Sequence, residues 1–337
     1  MNILLWHVHG GWTDAFVRGD HDYWLPSTPD HGPWGLGRAG RDWPGTVHEI
    51  APEQLRDLDV DLVLLQRPAE IARAEALLGR RPGRNLPAVY LEHNTPRDEV
   101  PNTRHPLAER TDIPLVHVTY FNELFWDSGR APTTVIEHGI VDPGALYTGA
   151  EARFAAVINE PLRRWRVTGT DLLPRFAGLA PVDVFGINGA DLGSALRMPG
   201  RVRHAGDLPT HRLHSDLAEH RVYLHPFRWT SLGLALLEAM HLAMPVLALA
   251  STEAIRAVPP EAGGISTDVD ELRRTARVLL NDPDEARHRG RFARRTALER
   301  YGLDRFLARW DAVLAGSLDP TPRPTRAHNP GGREDRS

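Results

Sequence analysis

The chain of 337 residues is 41% hydrophobic and 25% charged with a net charge of −4, the balance of a soluble globular protein long enough for two cores. It has no cysteine, and all 40 of its basic residues are arginine. This excludes thiolate nucleophiles, cysteine-ligated zinc and iron–sulfur clusters, and it excludes the Schiff-base, pyridoxal and P-loop chemistries that need a lysine.

Met1 to Gly11 is apolar but short, lacks a basic leader and holds His7 and His9, so Asn2–Val8 reads as a strand ending in Gly10-Gly11 rather than a signal peptide. Residues 20–46 are rich in Pro, Gly, Trp and Asp without a period and read as a long loop. Strands follow at Asp61–Gln66, Ala88–Leu91, Leu115–Val118 and Thr133–Ile136, with helices at Ala69–Leu78 and Phe121–Ser128. The pattern restarts near residue 150. Strands are predicted at Phe154–Ile158, Val182–Gly186, Val202–Ala205, Val222–His225 and Pro245–Ala248. Helices are predicted at Gly169–Ala177, His211–Ala218, Leu234–His241 and Val269–Asn281, then over Asp284–Ala315 with a break at Tyr301-Gly302. Short strands alternating with helices predict two doubly wound parallel sheets with ligands at the strands' carboxyl ends.

Charge divides the halves. Residues 1–150 hold 13 arginines against 21 acidic residues, and residues 151–337 hold 27 against 23. The second half is therefore the expected phosphate binder. No apolar run of 18 residues exists, so no transmembrane segment is expected and a cytoplasmic location is the default. Nothing in the charge pattern calls for nucleic acid.

Val222 to Ala248 is the most informative stretch. A strand ends at His225-Pro226, a turn runs through Thr230, Ser231, Leu232 and Gly233, and a helix opens at Leu234. Glycine admits close backbone approach, and the free N–H groups of a helix start attract an anion. Glu238, one turn in, is placed to accept hydrogen bonds from a ribose diol, or simply sits on an exposed helix face. His7 and His9 raise a metal alternative, but no second ligand pair stands at metal spacing. Gly35-Leu36-Gly37-Arg38-Ala39-Gly40 matches a dinucleotide pattern but lacks a strand before it and a helix after it.

Gly233, Glu238, Ala239, Met240, Pro245 and Val246 resemble the signature of the retaining GT-B glycosyltransferases of family four. The resemblance covers residues 150–315 well and 1–145 loosely. It implies an α/β fold of GT-B architecture, two Rossmann-like doubly wound parallel-sheet domains facing a cleft. The implied limits are an acceptor-binding domain at 1–147, a nucleotide-sugar domain at 148–300 and a helix at 301–317 packing back on the first domain; residues 318–337, rich in Pro, Arg, Asp and Gly with almost nothing apolar, read as a disordered tail. It implies Glu238 on the ribose, and Ser231, Leu232, Gly233, Leu234, Gly10 and Gly11 near the donor phosphate. Where the family has a glutamate for the donor sugar, this chain has Thr230, and its phosphate-clamp lysine falls on Thr168. Arg163, Arg164 and Arg166, with Arg228, are the candidates to replace that charge. His93, in the turn Glu92-His93-Asn94 after a strand, resembles the family's cleft histidine and is the catalytic candidate. The implied activity is metal-independent, cofactor-free transfer with retention, from a nucleotide-sugar donor to an unidentified saccharide or small-molecule acceptor. A non-catalytic nucleotide-sugar binder and a GT-B-shaped epimerase are the alternatives.

Overall fold

The computed structural model describes residues 1–318, so the expected tail lies outside the described residues except for Leu318, which ends a helix. One sheet holds β1 (Asn2–Leu5), β2 (Asp22–Pro26), β3 (Val47–Ile50), β4 (Leu62–Leu65), β5 (Ala88–Glu92), β6 (Leu115–His117) and β7 (Thr133–Val135). Its order is β3-β2-β1-β4-β5-β6-β7. The other holds β8 (Glu151–Val157), β9 (Val182–Phe185), β10 (Val202–Gly206), β11 (His220–His225), β12 (Val246–Leu249) and β13 (Gly263–Ser266), in the order β10-β9-β8-β11-β12-β13. Every pairing in both sheets is parallel.

Parallel sheets are covered on both faces, which is why β4 and β12 are uninterrupted apolar runs buried at every residue. Strand order reverses between β1 and β4 and again between β8 and β11, opening a crevice at each sheet's carboxyl edge. Helix ends follow local chemistry. Gly79 closes the Ala69–Leu78 helix in the left-handed conformation, and Asp268 and Asp282 cap the Val269–Asn281 and Pro283–Tyr301 helices.

Three expectations need correction. Residues 20–46 are not all loop, because Asp22–Pro26 forms β2 between β1 and β3. This five-residue strand is held by its two neighbours, and Pro26 stands at its last position, where a missing N–H costs least. β3 and β13 were also illegible; β13 opens with Gly263-Gly264, which carry no strand propensity of their own. The first strand stops at Leu5, not Val8, and Gly10-Gly11 begin the helix Gly10–Phe16.

The last helix, Leu303–Leu318, buries Phe306, Trp310 and Leu314 in the first domain's core. The Trp310 ring lies 5.5 Å from Trp12 and 5.1 Å from Phe16. The chain therefore passes between the domains twice, and the two passages touch. Ile140 pairs with Gly302, and the Ile140 N–H donates to the Tyr301 carbonyl at 2.9 Å.

Asp183 on β9 is wholly buried in the second domain. The guanidinium forks of Arg153 and Arg203 each take both its oxygens at 2.7–3.0 Å, and His220 Nε2 lies 2.9 Å away. Burial alone would raise this carboxyl's pKa, but those bonds outweigh it and hold it well below the usual carboxylate range. A depressed folded pKa gives stability that is complete above the unfolded value of 3.8 and is lost as the pH falls toward the folded one. Asp183→Asn is expected to cost about 3–5 kcal/mol in urea unfolding at neutral pH. It should also flatten the loss of stability below pH 3.8; an unchanged midpoint would refute the assignment.

Candidate active site

Loops from the carboxyl edges of both sheets enclose one cavity of about 680 Å³. His9, His93 and His138 face it from the first domain, following β1, β5 and β7. Arg163 and Arg164 face it from the loop after β8, and Thr230, Ser231, Leu232 and Leu234 from the turn after β11. The structure thus brings seven of the expected residues, namely His93, Arg163, Arg164, Thr230, Ser231, Leu232 and Leu234, around one space.

The loop after β8 is shaped by residues that do not touch the cavity. Thr168, at the position of the expected lysine, is buried; its hydroxyl donates to the Trp165 carbonyl at 3.2 Å and bonds Thr170 Oγ1 at 2.9 Å. Gly169 has φ of +70°, and a Cβ there would overlap the Pro226 carbonyl, so only glycine fits. Arg228 donates to both oxygens of Asp171 at 2.6 and 2.9 Å and to the Arg166 carbonyl at 2.9 Å. It clasps this loop to the one after β11. Arg166 is 71% exposed and lies 3.3 Å from the same Asp171. Neither Arg166 nor Arg228 lines the cavity.

The two lining arginines differ. Arg163 pairs with Glu160, its Nε 2.8 Å from Oε1. Arg164 has no carboxylate partner among the described residues, and burial, with Arg163 beside it, pulls its pKa down. Arg97 lines the cavity from the first domain and is likewise unpaired among the described residues. Sequence reasoning missed Arg97, which lies beyond any motif.

The turn after β11 is fastened to the first domain. Trp229 Nε1 donates to the Pro96 carbonyl at 2.9 Å, and its ring meets the edges of Phe121 and Phe125. Ser231 Oγ donates to the His93 carbonyl and accepts from Asn122 Nδ2 at 2.9 Å. The serine hydroxyl is thus spent on joining the domains, leaving the backbone for any ligand. Behind it the Leu234–His241 helix starts at Gly233 without a side-chain cap. Gly11 packs against Leu234, where a Cβ would lie 2.9 Å from Leu234 Cδ1. Gly10 starts the opposite helix beside Arg41. Glu238 lies outside the cavity lining, one turn along, with His214 Nε2 3.8 Å from its Oε2.

His93 is held in one tautomer. Gln66 Nε2 donates to the Trp6 carbonyl at 2.7 Å, which turns Gln66 Oε1 toward His93 Nε2 at 2.9 Å. Nε2 must then carry the proton, leaving the Nδ1 lone pair free to accept. The His9 ring stands 4.1 Å from the His93 ring. Burial and the neighbouring His9 and His138 push the His93 pKa well below the ordinary value, and burial and His9 push His138 down to about 4. His138 and Gln66 were also missed, although His138 follows β7 as His93 follows β5. His7 turns instead to the Gly37 carbonyl at 2.8 Å. Among the described residues no three His, Cys, Asp or Glu side chains are grouped to hold a metal ion, and no helix is long and apolar enough to cross a membrane.

No protein-family model matches the chain, and no curated protein does. Solved structures do. A glycosyltransferase from Rickettsia africae aligns over 95% of this chain and 99% of its own with a TM-score of 0.70 at 14% identity. Sucrose-phosphate synthase from Thermosynechococcus elongatus aligns over 94% and 98%, with a TM-score of 0.69 at 14% identity. Anabaena HepE in complex with UDP aligns over 94% and 99%, with a TM-score of 0.68 at 14% identity. The two parallel-sheet domains have the GT-B glycosyltransferase fold.

A histidine whose folded pKa is lowered stabilises the fold fully above its unfolded value of 6.5 and loses that contribution as the pH falls toward the folded one. Thermal stability is expected to decline between pH 6.5 and about 4, and His138→Gln to flatten that decline. Melting curves across this range test it, and parallel pH profiles for the two proteins would contradict it.

Proposed function

We propose that the protein transfers a sugar from a nucleotide-sugar donor to a hydroxyl-bearing acceptor, with retention and without a metal. The observation that carries this reading is the Arg164 guanidinium, unpaired among the described residues, sharing a cavity between two GT-B domains with the uncapped start of the Leu234–His241 helix. Both are sources of positive potential beside the cavity, placed to stabilise charge growing on a leaving phosphate. UDP bound in HepE, a structural neighbour, supports a nucleoside diphosphate as the leaving group.

In this reading the donor's sugar–phosphate bond breaks and the electron pair leaves on the diphosphate. The acceptor oxygen bonds the anomeric carbon on the same face, and its proton passes to the departing phosphate oxygen. No protein nucleophile is needed. Arg164 and the N–H groups at Ser231–Leu234 hold the diphosphate. Thr230 Oγ1 and the Nδ1 lone pair of His93 bond donor-sugar hydroxyls, and the depressed His93 pKa keeps that lone pair unprotonated at neutral pH. Glu238 accepts from the ribose hydroxyls at the outer end of the site. The acceptor approaches from the first domain.

Incubation with UDP-, GDP- and ADP-sugars and a cell extract should release free nucleotide and a new glycoside. Turnover that stopped on adding EDTA would overturn the metal-free step. Glu238→Ala should raise the Kd of the nucleotide about 10-fold or more, the loss of a hydrogen-bonded charged acceptor. Binding without turnover would favour a non-catalytic binder, and sugar interconversion without an acceptor would favour an epimerase.

A further inference from the structure

We propose that Arg97 of the first domain is the second half of the clamp on the donor diphosphate, facing Arg164 of the second. The inference rests on the nucleotide-sugar reading above and adds a residue from the opposite wall of the cleft.

The arginines of the cleft differ in how they are partnered. Asp171 occupies Arg228 and lies beside Arg166. Glu160 occupies Arg163. Arg164 and Arg97 remain without a carboxylate among the described residues, and both line the same cavity. Two guanidinium groups so placed repel each other, and Arg97 contributes to the lowered pKa of Arg164. The three cavity histidines, held neutral by burial, add no charge to this balance. The diphosphate of a nucleotide-sugar carries two negative charges, and two planar donor forks from opposite walls match its two phosphates.

The residue before Arg97 is Pro96, whose carbonyl accepts the Trp229 indole N–H at 2.9 Å. That bond crosses between domains. It brings the Arg97 loop to the cleft when the turn after β11 is docked on the first domain. Arg97 makes no side-chain hydrogen bond to another described residue, so the fold does not need it.

The experiment is calorimetric titration of the wild type, R164Q, R97Q and R97K with UDP, GDP and ADP and with the matching nucleosides. For the diphosphate that the wild type binds, R97Q should raise Kd about 10- to 100-fold, the loss of one charge-assisted contact. It should leave the nucleoside Kd and the melting temperature unchanged, and R97K should recover part of the loss. An unchanged diphosphate Kd in R97Q, with a raised one in R164Q, overturns the role of Arg97 and leaves the functional reading standing. An equal loss for nucleoside and diphosphate also overturns it, since the effect would then not lie at the phosphates. If none of the three diphosphates binds the wild type, the nucleotide-sugar reading itself fails.

Discussion

The parallel run of all thirteen strands among the described residues sets where everything else can go. A parallel strand must be followed by a crossover, so each sheet sends its outgoing loops to one edge and its returning loops to the other. Where strand order reverses, two of those outgoing loops diverge and leave a crevice. In this chain the crevices of the two sheets face each other. The loops after β1, β5 and β7 meet those after β8 and β11, and the histidines and arginines of the cavity are residues of these loops. Their assembly follows from strand direction before any specific contact is made.

The absence of lysine has an electrostatic meaning in that setting. A buried ammonium readily gives up its proton, whereas a guanidinium keeps its charge under the same burial. Charge in this cleft is therefore adjusted by partnering. Asp171 and Glu160 withdraw three arginines from use, two of them into the architecture of the loop after β8. The histidines take the opposite course. Packed together around the cavity, they are pushed toward the neutral form.

Much of this was legible in the sequence. The Val269–Asn281 helix and the break at Gly302 follow from period and glycine, because amphipathic order is a local property. β2 and β13 were not, since a short strand with Pro26 or paired glycines is made by its neighbours in the sheet. In the site, residue type pointed to the right loops, but the division of labour among the arginines did not appear. Arg228 and Arg164 look alike in sequence; a carboxylate 57 residues from Arg228 separates them. Thr168 reads as a lost charge, yet its side chain faces inward and knits the loop. Arg97 and His138 lie outside any motif and acquire meaning only from which strand end they follow.

The double passage at Ile140 and Gly302 bears on how such a cleft can open. Two covalent connections that run side by side and share a hydrogen bond act like the pins of one door hinge. Sliding or twisting of one domain on the other would shear that pair, whereas swinging about the line through it leaves both intact. The bonds from Trp229 to Pro96 and from Ser231 to His93 also cross between the domains, so such a swing must break them.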